Sequence, residues 1–295
     1  MALGSGAARG WAHIGVLRGL EDAGVVPDVV CGASIGAVVG AAHAAGELDP
    51  LEAWVRQLDW RSIVGSFDLV LRGGLIKARR IFELLAAGRP DRTIESLPRS
   101  FAAVATDLAS GQEVWLRDGS LLESLRASVA LPGLIAPVRL GDRWLVDGGL
   151  VNPVPISLCR ALGAETVIAV DLNTTLLGRR LRDPPPESAG AAGGRSGMQT
   201  ALHEVLTDLR RRLGVERDPD EQVAPSIYDV VTNSINIMQV RITRSRMAGD
   251  PPELLVTPQL ADHGLLDFDR AAEAIDEGRR AVERSLALLP SGALA

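Results

Sequence analysis

The chain of 295 residues can form one large or two modest domains; it is 46% hydrophobic but only 3% aromatic, so Ala, Leu, Val and Gly must fill its core. A net charge of −6, with no long block of one sign, argues against general nucleic-acid binding, which depends on phosphate neutralisation. No run approaches the roughly 18 to 20 uninterrupted apolar residues of a membrane span, and the N-terminus lacks a basic start and an A-x-A site, so a soluble cytoplasmic protein is expected.

Met1 to Leu3 read as a fragment of a strand: either the strand is truncated at the start of the chain, or the true start codon lies upstream. A small-residue loop, Gly4 to Gly10, precedes a helix predicted from about Trp11 to Ala23, with Trp11, Ile14, Leu17 and Leu20 at helical spacing and Gly24 as its cap. Residues 28 to 31 (DVVC) predict a buried strand, and Ile35 to Ala45 a buried helix closed by Gly46. Strand, turn, helix, strand, turn and helix within 46 residues imply parallel strands joined by right-handed crossovers.

Residues 51 to 100 are expected to be mainly helical, broken at Gly73-Gly74. FAAVATDL (101 to 108) and EVWL (113 to 116) predict strands around a Ser110-Gly111 turn, followed by a helix from Leu121 to Val129. RWLVDGG (143 to 149) is a strand entering a turn, Ile156 to Leu162 a helix, and TVIAVDL (166 to 172) a strand of the parallel, doubly buried type. The Pro-, Gly- and Ser-rich stretch 182 to 197 reads as a linker or lid. Beyond it come a helix near 200 to 213 and another near 225 to 246, with Ile227, Val231, Ile235, Met238 and Ile242 as an apolar stripe. LLVTP predicts a last strand and 268 to 288 a final helix. Cys31 and Cys159, both in apolar surroundings, are expected to be buried free thiols.

Gly32-Ala33-Ser34-Ile35-Gly36 fits G-x-S-x-G between a strand and a helix, the context in which such a serine stands on a sharp turn as a nucleophile. Gly32 and Gly36 are required because neighbouring Cβ atoms would collide there. Backbone N–H donors for an oxyanion can come from Gly4 to Gly10; Arg9 stands where a dinucleotide G-x-G-x-x-G needs glycine, which weakens that reading. A base is harder to find. His13 adjoins the donor loop, His43 faces away from Ser34, His203 follows the linker, and only His263 comes late enough for a triad; all four also read as structural or surface residues. A carboxylate can serve instead, and Asp147, at a strand end before Gly148-Gly149, is the best placed, although D-G-G is also a common turn.

Taken together, LGSGAARGWAHIGVL (3 to 17), VVCGASIGAVVGAA (29 to 42), FAAVATDLASG (101 to 111), RASVALPGLIAPV (126 to 138), WLVDGGLVNPVPISL (144 to 158) and MAGDPPELLVTP (247 to 258) resemble the patatin-like phospholipases, and most closely the small bacterial RssA-type branch of the neuropathy-target-esterase group. The resemblance implies a Ser34–Asp147 dyad without histidine, acyl esters of lipids as substrates, and no metal or cofactor. It also implies an oxyanion loop, usually G-G-G-x-[KR]-G, which falls here on Ser5 to Gly10. Gly6, Arg9 and Gly10 match that pattern, Ser5 and Ala7 depart from it, and Arg9 reads as bracing the loop by hydrogen bonds. Any positive φ at Ala7 would cost roughly 1 kcal/mol or more.

The expected fold is α/β, a mainly parallel sheet with helices on both faces and a mostly helical C-terminal part. Its expected division is a catalytic domain over 1–175, a linker or lid over 176–199, and a helical extension over 200–295 that packs on the core. The altered loop keeps a rival open: a weakly active or non-catalytic protein that binds a lipid or a partner. Peripheral membrane contact, if any, is expected at 182 to 197 and at Arg210, Arg211, Arg212, Arg241, Arg244 and Arg246.

Overall fold

The structure, a computed structural model, describes residues 1–58, 92–176 and 227–288. The strands β1 (Ala2–Leu3), β2 (Val29–Ala33), β3 (Ser100–Asp107), β4 (Glu113–Leu116), β5 (Val138–Leu140), β6 (Arg143–Asp147), β7 (Ile168–Val170) and β8 (Leu254–Val256) form one sheet. One half is parallel: β1 lies between β2 and β7, β2 also pairs with β3, and β8 pairs with β7. The other half is antiparallel, with β3 paired to β4 and β6, and β6 to β5. β5 was not foreseen; it is three residues long and only Val138 is buried, so it carries almost no alternation to read.

Period-2 alternation sends each strand's side chains to two separate cores. Leu3, Val30, Phe101, Ala103 and Val170 face one core, and Ala2, Cys31, Ala102, Val104 and Ala169 the other. On the first face lie α1 (Ala12–Asp22), α2 (Ile35–Ala45), α3 (Leu48–Val55), α4 (Leu121–Ser128) and α7 (Ala271–Leu286); on the second lies α5 (Ile156–Ala161). The fold is thus a three-layer α/β arrangement, as expected. α2 has the predicted ends, closed by Gly46 in the left-handed region. α7 turns Ala271, Ala274, Ile275, Gly278, Ala281 and Val282 inward against α1, an i, i+3, i+4, i+7 pattern. Residues beyond 200 also supply β8, so the C-terminal part shares the central sheet.

α6 (Ile227–Gly249) departs from the sequence reading. Val231 and Met238 of the expected stripe are about half exposed, Ile235 and Ile242 are half-buried, and among the described side chains the buried positions are Asn236, Gln239, Val240 and Thr243. The correction has a physical reason: at Asn236 and Gln239 this helix lies against polar groups, and it meets an apolar core at Met247, near its C-terminal end. The predicted linker, the helix near 200 to 213, the Gly73-Gly74 break, His203 and Arg210 to Arg212 lie outside the described residues. Among the described residues, no helix is long and apolar enough to cross a membrane. Cys31 and Cys159 are buried free thiols.

Candidate active site

The site arises where two strands meet end to end. On β3, Val104 faces Ala33 of β2 and Trp115 of β4, while Ala105 faces Asp147 of β6 and Val114 of β4. β4 occupies one flank of β3, so β2 and β6 share the other. β2 runs parallel to β3 and β6 antiparallel, and their C-terminal ends therefore converge. Ser34 leaves the end of β2 and Asp147 ends β6, which brings together two residues 113 positions apart.

Ser34 is partly exposed and sits at φ +56° and ψ −126°, a conformation L-residues rarely adopt. Its hydroxyl donates to Asp147 Oδ2 at 2.6 Å. The turn is held from below, because the Ser34 N–H donates to Ser128 Oγ (3.0 Å), which in turn donates to the Val104 carbonyl (2.7 Å). α2 begins at Ile35, so the positive end of its dipole lies beneath the hydroxyl. A Cβ on Gly36 would land on the Leu3 carbonyl oxygen, and one on Gly32 on the backbone of Ala37. Gly36→Ala is accordingly expected to destabilise the protein by about 3 kcal/mol or more, read as a fall in urea midpoint at unchanged m-value.

Asp147 is almost wholly buried. Its Oδ1 accepts from the Gly149 N–H (2.7 Å), its carbonyl accepts from Thr106 Oγ1 (2.8 Å), and its N–H donates to Ala130 O (3.0 Å). Burial raises its pKa from 3.8 to about 6, against the opposing pull of the bonds from Ser34 and Gly149. At neutral pH the group is mainly the carboxylate, yet far readier to take a proton than an exposed aspartate.

The loop before α1 ends in a 3-10 turn over Ala7–Trp11. Ala7 is at φ +49°, so the alanine that replaces glycine here sits in the left-handed region at a cost of about 1 kcal/mol or more. The N–H groups of Gly4, Ser5, Ala8 and Arg9 are bonded to Val170 O, Pro153 O, Leu265 O and Gly6 O, respectively. Those of Gly6 and Ala7 have no partner among the described residues. Arg9 is buried, and its Nη2 donates to Asn173 Oδ1 (3.1 Å) and Asn236 Oδ1 (3.2 Å).

No histidine bonds Ser34 or Asp147 among the described residues. His13 Nε2 donates to the Gly4 carbonyl (2.7 Å); burial lowers its pKa to about 4, so it is a neutral strut under the loop. His43, near the C-terminal end of α2, is likewise lowered to about 4 by burial. His263 lies 3.9 Å from the Glu273 carboxylate, its pKa lowered chiefly by burial. Arg241 and Arg244 are exposed, and Arg246 donates to Glu113 (2.8 Å). Among the described residues, no group of three or more His, Cys, Asp or Glu side chains converges as a metal site.

Sequence reasoning missed Ser128, Thr106, Asn173, Asn236 and Gln239. The signal at α6 was its polar residues Asn236, Gln239 and Thr243, which recur at helical spacing beside the apolar stripe.

A family model described as patatin-like phospholipase matches residues 1–160. An NTE family protein of Mycobacterium tuberculosis is 33% identical over 97% of this chain and 90% of its own length. Patatin-like phospholipase domain-containing protein 6 of Mus musculus is 35% identical over 182 residues, covering 59% of this chain and 13% of that protein. Among solved structures, VipD from Legionella pneumophila superposes with a TM-score of 0.46 at 12% identity, over 96% of this chain; the chain spans 65% of VipD's length.

Proposed function

The chain belongs to the patatin-like phospholipase family, and on that footing we propose that it is a serine hydrolase acting on lipid or lysophospholipid esters. Ser34 is the nucleophile and Asp147 the general base. The observation that carries this reading is the 2.6 Å hydrogen bond from a partly exposed serine, on a strained turn, to a buried carboxylate.

In this mechanism Ser34 Oγ attacks the ester carbonyl carbon and its proton passes to Asp147 Oδ2. The carbonyl electron pair moves to the oxygen, which the N–H groups of Gly6 and Ala7 receive. Collapse of the tetrahedral intermediate expels the alcohol, which takes its proton from Asp147. Water then attacks the acyl-enzyme, giving a proton to Asp147, which returns it to Ser34 Oγ as the fatty acid is released. Both half-reactions need Asp147 ionised at the start.

With the carboxyl near pH 6, kcat/KM is expected to rise about tenfold per pH unit below that value and to level off above it. A titration of turnover on a short-chain nitrophenyl ester from pH 4 to 8 checks the limb. A fluorophosphonate probe followed by peptide mass analysis tests the assignment itself: Ser34 should carry the label. A folded protein with Ser34 unlabelled would favour the rival reading of a non-catalytic lipid-binding protein.

A further inference from the structure

α6 is seated by hydrogen bonds. Among its described side chains the buried ones are Asn236, Gln239, Val240 and Thr243, of which Asn236 and Gln239 make side-chain hydrogen bonds, while Val230, Val231, Ile237 and Met238 lie on the exposed side. Buried amides must find partners: Asn236 accepts from Arg9 of the loop before α1, and Gln239 accepts from Asn173, in the segment that follows β7. Arg9 Nη2 donates to Asn236 Oδ1. Asn173 Nδ2 donates both to the Ser5 carbonyl (3.1 Å) and to Gln239 Oε1 (3.0 Å). Gln239 Nε2 lies over Gly149, so close that a Cβ on that glycine would stand 2.6 Å from it. About two turns further on, Arg246 bonds Glu113, whose other oxygen accepts from Asn152 Nδ2 (2.7 Å). A single helix face thus touches both the loop over Ser5–Arg9 and the turn that follows Asp147.

We infer that Asn236 and Gln239 are positioning residues, through which α6 holds the oxyanion loop in its strained shape. The inference rests on the hydrolase reading above. A residue at φ +49° relaxes unless its surroundings over-determine it, and Ala7 is bracketed by two anchors. On one side the Arg9 side chain is tied to Asn236 and Asn173; on the other the Ser5 carbonyl is tied to Asn173, which Gln239 fixes in turn. Neither α6 amide bonds Ser34 or Asp147, so their effect on the reaction passes through the position of the Gly6 and Ala7 N–H groups.

The test compares Asn236→Ala, Asn236→Asp and Gln239→Ala with the wild-type full chain. Asn236→Ala is expected to lower kcat about 10- to 100-fold with KM within about threefold, the mark of a misplaced donor. Asn236→Asp keeps an acceptor for Arg9 and should remain within about threefold of wild type. The acid limb of the pH profile should stay where it is. A long-chain alkyl trifluoromethyl ketone, which adds to Ser34 as an oxyanion, should lose affinity in step with kcat.

Amide hydrogen exchange supplies a readout that needs no turnover. Residues 4 to 11 should exchange at least about tenfold faster in Asn236→Ala, while α2 is unchanged. If the wild type hydrolyses nothing, the hydrolase reading fails, and the tether is judged by exchange alone. Wild-type kcat together with wild-type exchange would overturn the inference. So would a loss in which exchange quickens over the whole chain, since that is general destabilisation. Gln239→Ala, which leaves the Arg9–Asn236 bond intact, repeats the comparison should Asn236→Ala not fold.

Discussion

Asp147→Asn is expected to lower kcat/KM by about 10³- to 10⁴-fold and, in the same protein, to raise stability at pH 8. The first effect follows from the proposed base: asparagine cannot accept the Ser34 proton, although its carbonyl can still accept from the Gly149 N–H. The second follows from the direction of the pKa shift. Burial lifts Asp147 from 3.8 to about 6, so between those values the folded state holds a proton that the unfolded chain has released. Stability attributable to this group is therefore highest below about pH 4, falls as pH rises through the window, and stays low above about 6. The rise from 3.8 to about 6 corresponds to a cost of about 3 kcal/mol at pH 8. A neutral isostere removes it. Urea unfolding at pH 4 and pH 8 measures the difference: the variant should gain up to about 3 kcal/mol at the higher pH and almost nothing at the lower. Equal stability at both pH values would mean that the carboxylate is better solvated than its burial implies, and unchanged turnover would remove Asp147 from the mechanism.

That trade between stability and chemistry recurs around the site. Ala7 and Ser34 are the non-glycine residues at positive φ among the described ones, and they lie at the proposed oxyanion loop and the proposed nucleophile. The nearest titratable group has a pKa displaced by desolvation. Strain and desolvation at one place indicate a cluster arranged for reactivity, since each feature taken singly weakens the fold.

Much of this was legible before any coordinates. Parallel strands, the ends of α2 and the candidate pair Ser34 and Asp147 follow from local signals: an apolar run, a Gly turn, a helical period and a carboxylate at a strand end. What was not legible depends on non-local pairing. Nothing in FAAVATDL reveals that β3 receives β2 and β6 on one flank, although that convergence is what joins residues 34 and 147. α6 misled for a different reason. Periodicity arguments assume that the buried face is the apolar one, and they fail where a helix is seated on buried loop polar groups. Asn236 and Gln239 then look like solvent-facing residues, and Val231 and Met238 like core.

Replacing Ser34 separates the chemistry of the site from its strain. Ser34→Ala and Ser34→Gly should each lose turnover by about 10⁴-fold or more and take up no fluorophosphonate, because both lack the attacking oxygen. Their stabilities should differ. Alanine keeps a Cβ at φ +56°, whereas glycine occupies that region freely, so the glycine variant should be about 1 kcal/mol more stable than the alanine one. The two share a further consequence. Each deletes the hydroxyl that donates to Asp147 Oδ2, one of the two bonds that oppose the effect of burial on that carboxyl. The carboxyl pKa should then rise above about 6 in both variants, measurable by carbon NMR of labelled aspartate. A pKa that stays put would show that Ser34 does not stabilise the carboxylate in solution, and the proton transfer assigned to this pair would lose its structural basis. A glycine variant no more stable than the alanine one would place the turn's strain outside the Cβ, in the backbone path that Gly32 and Gly36 permit.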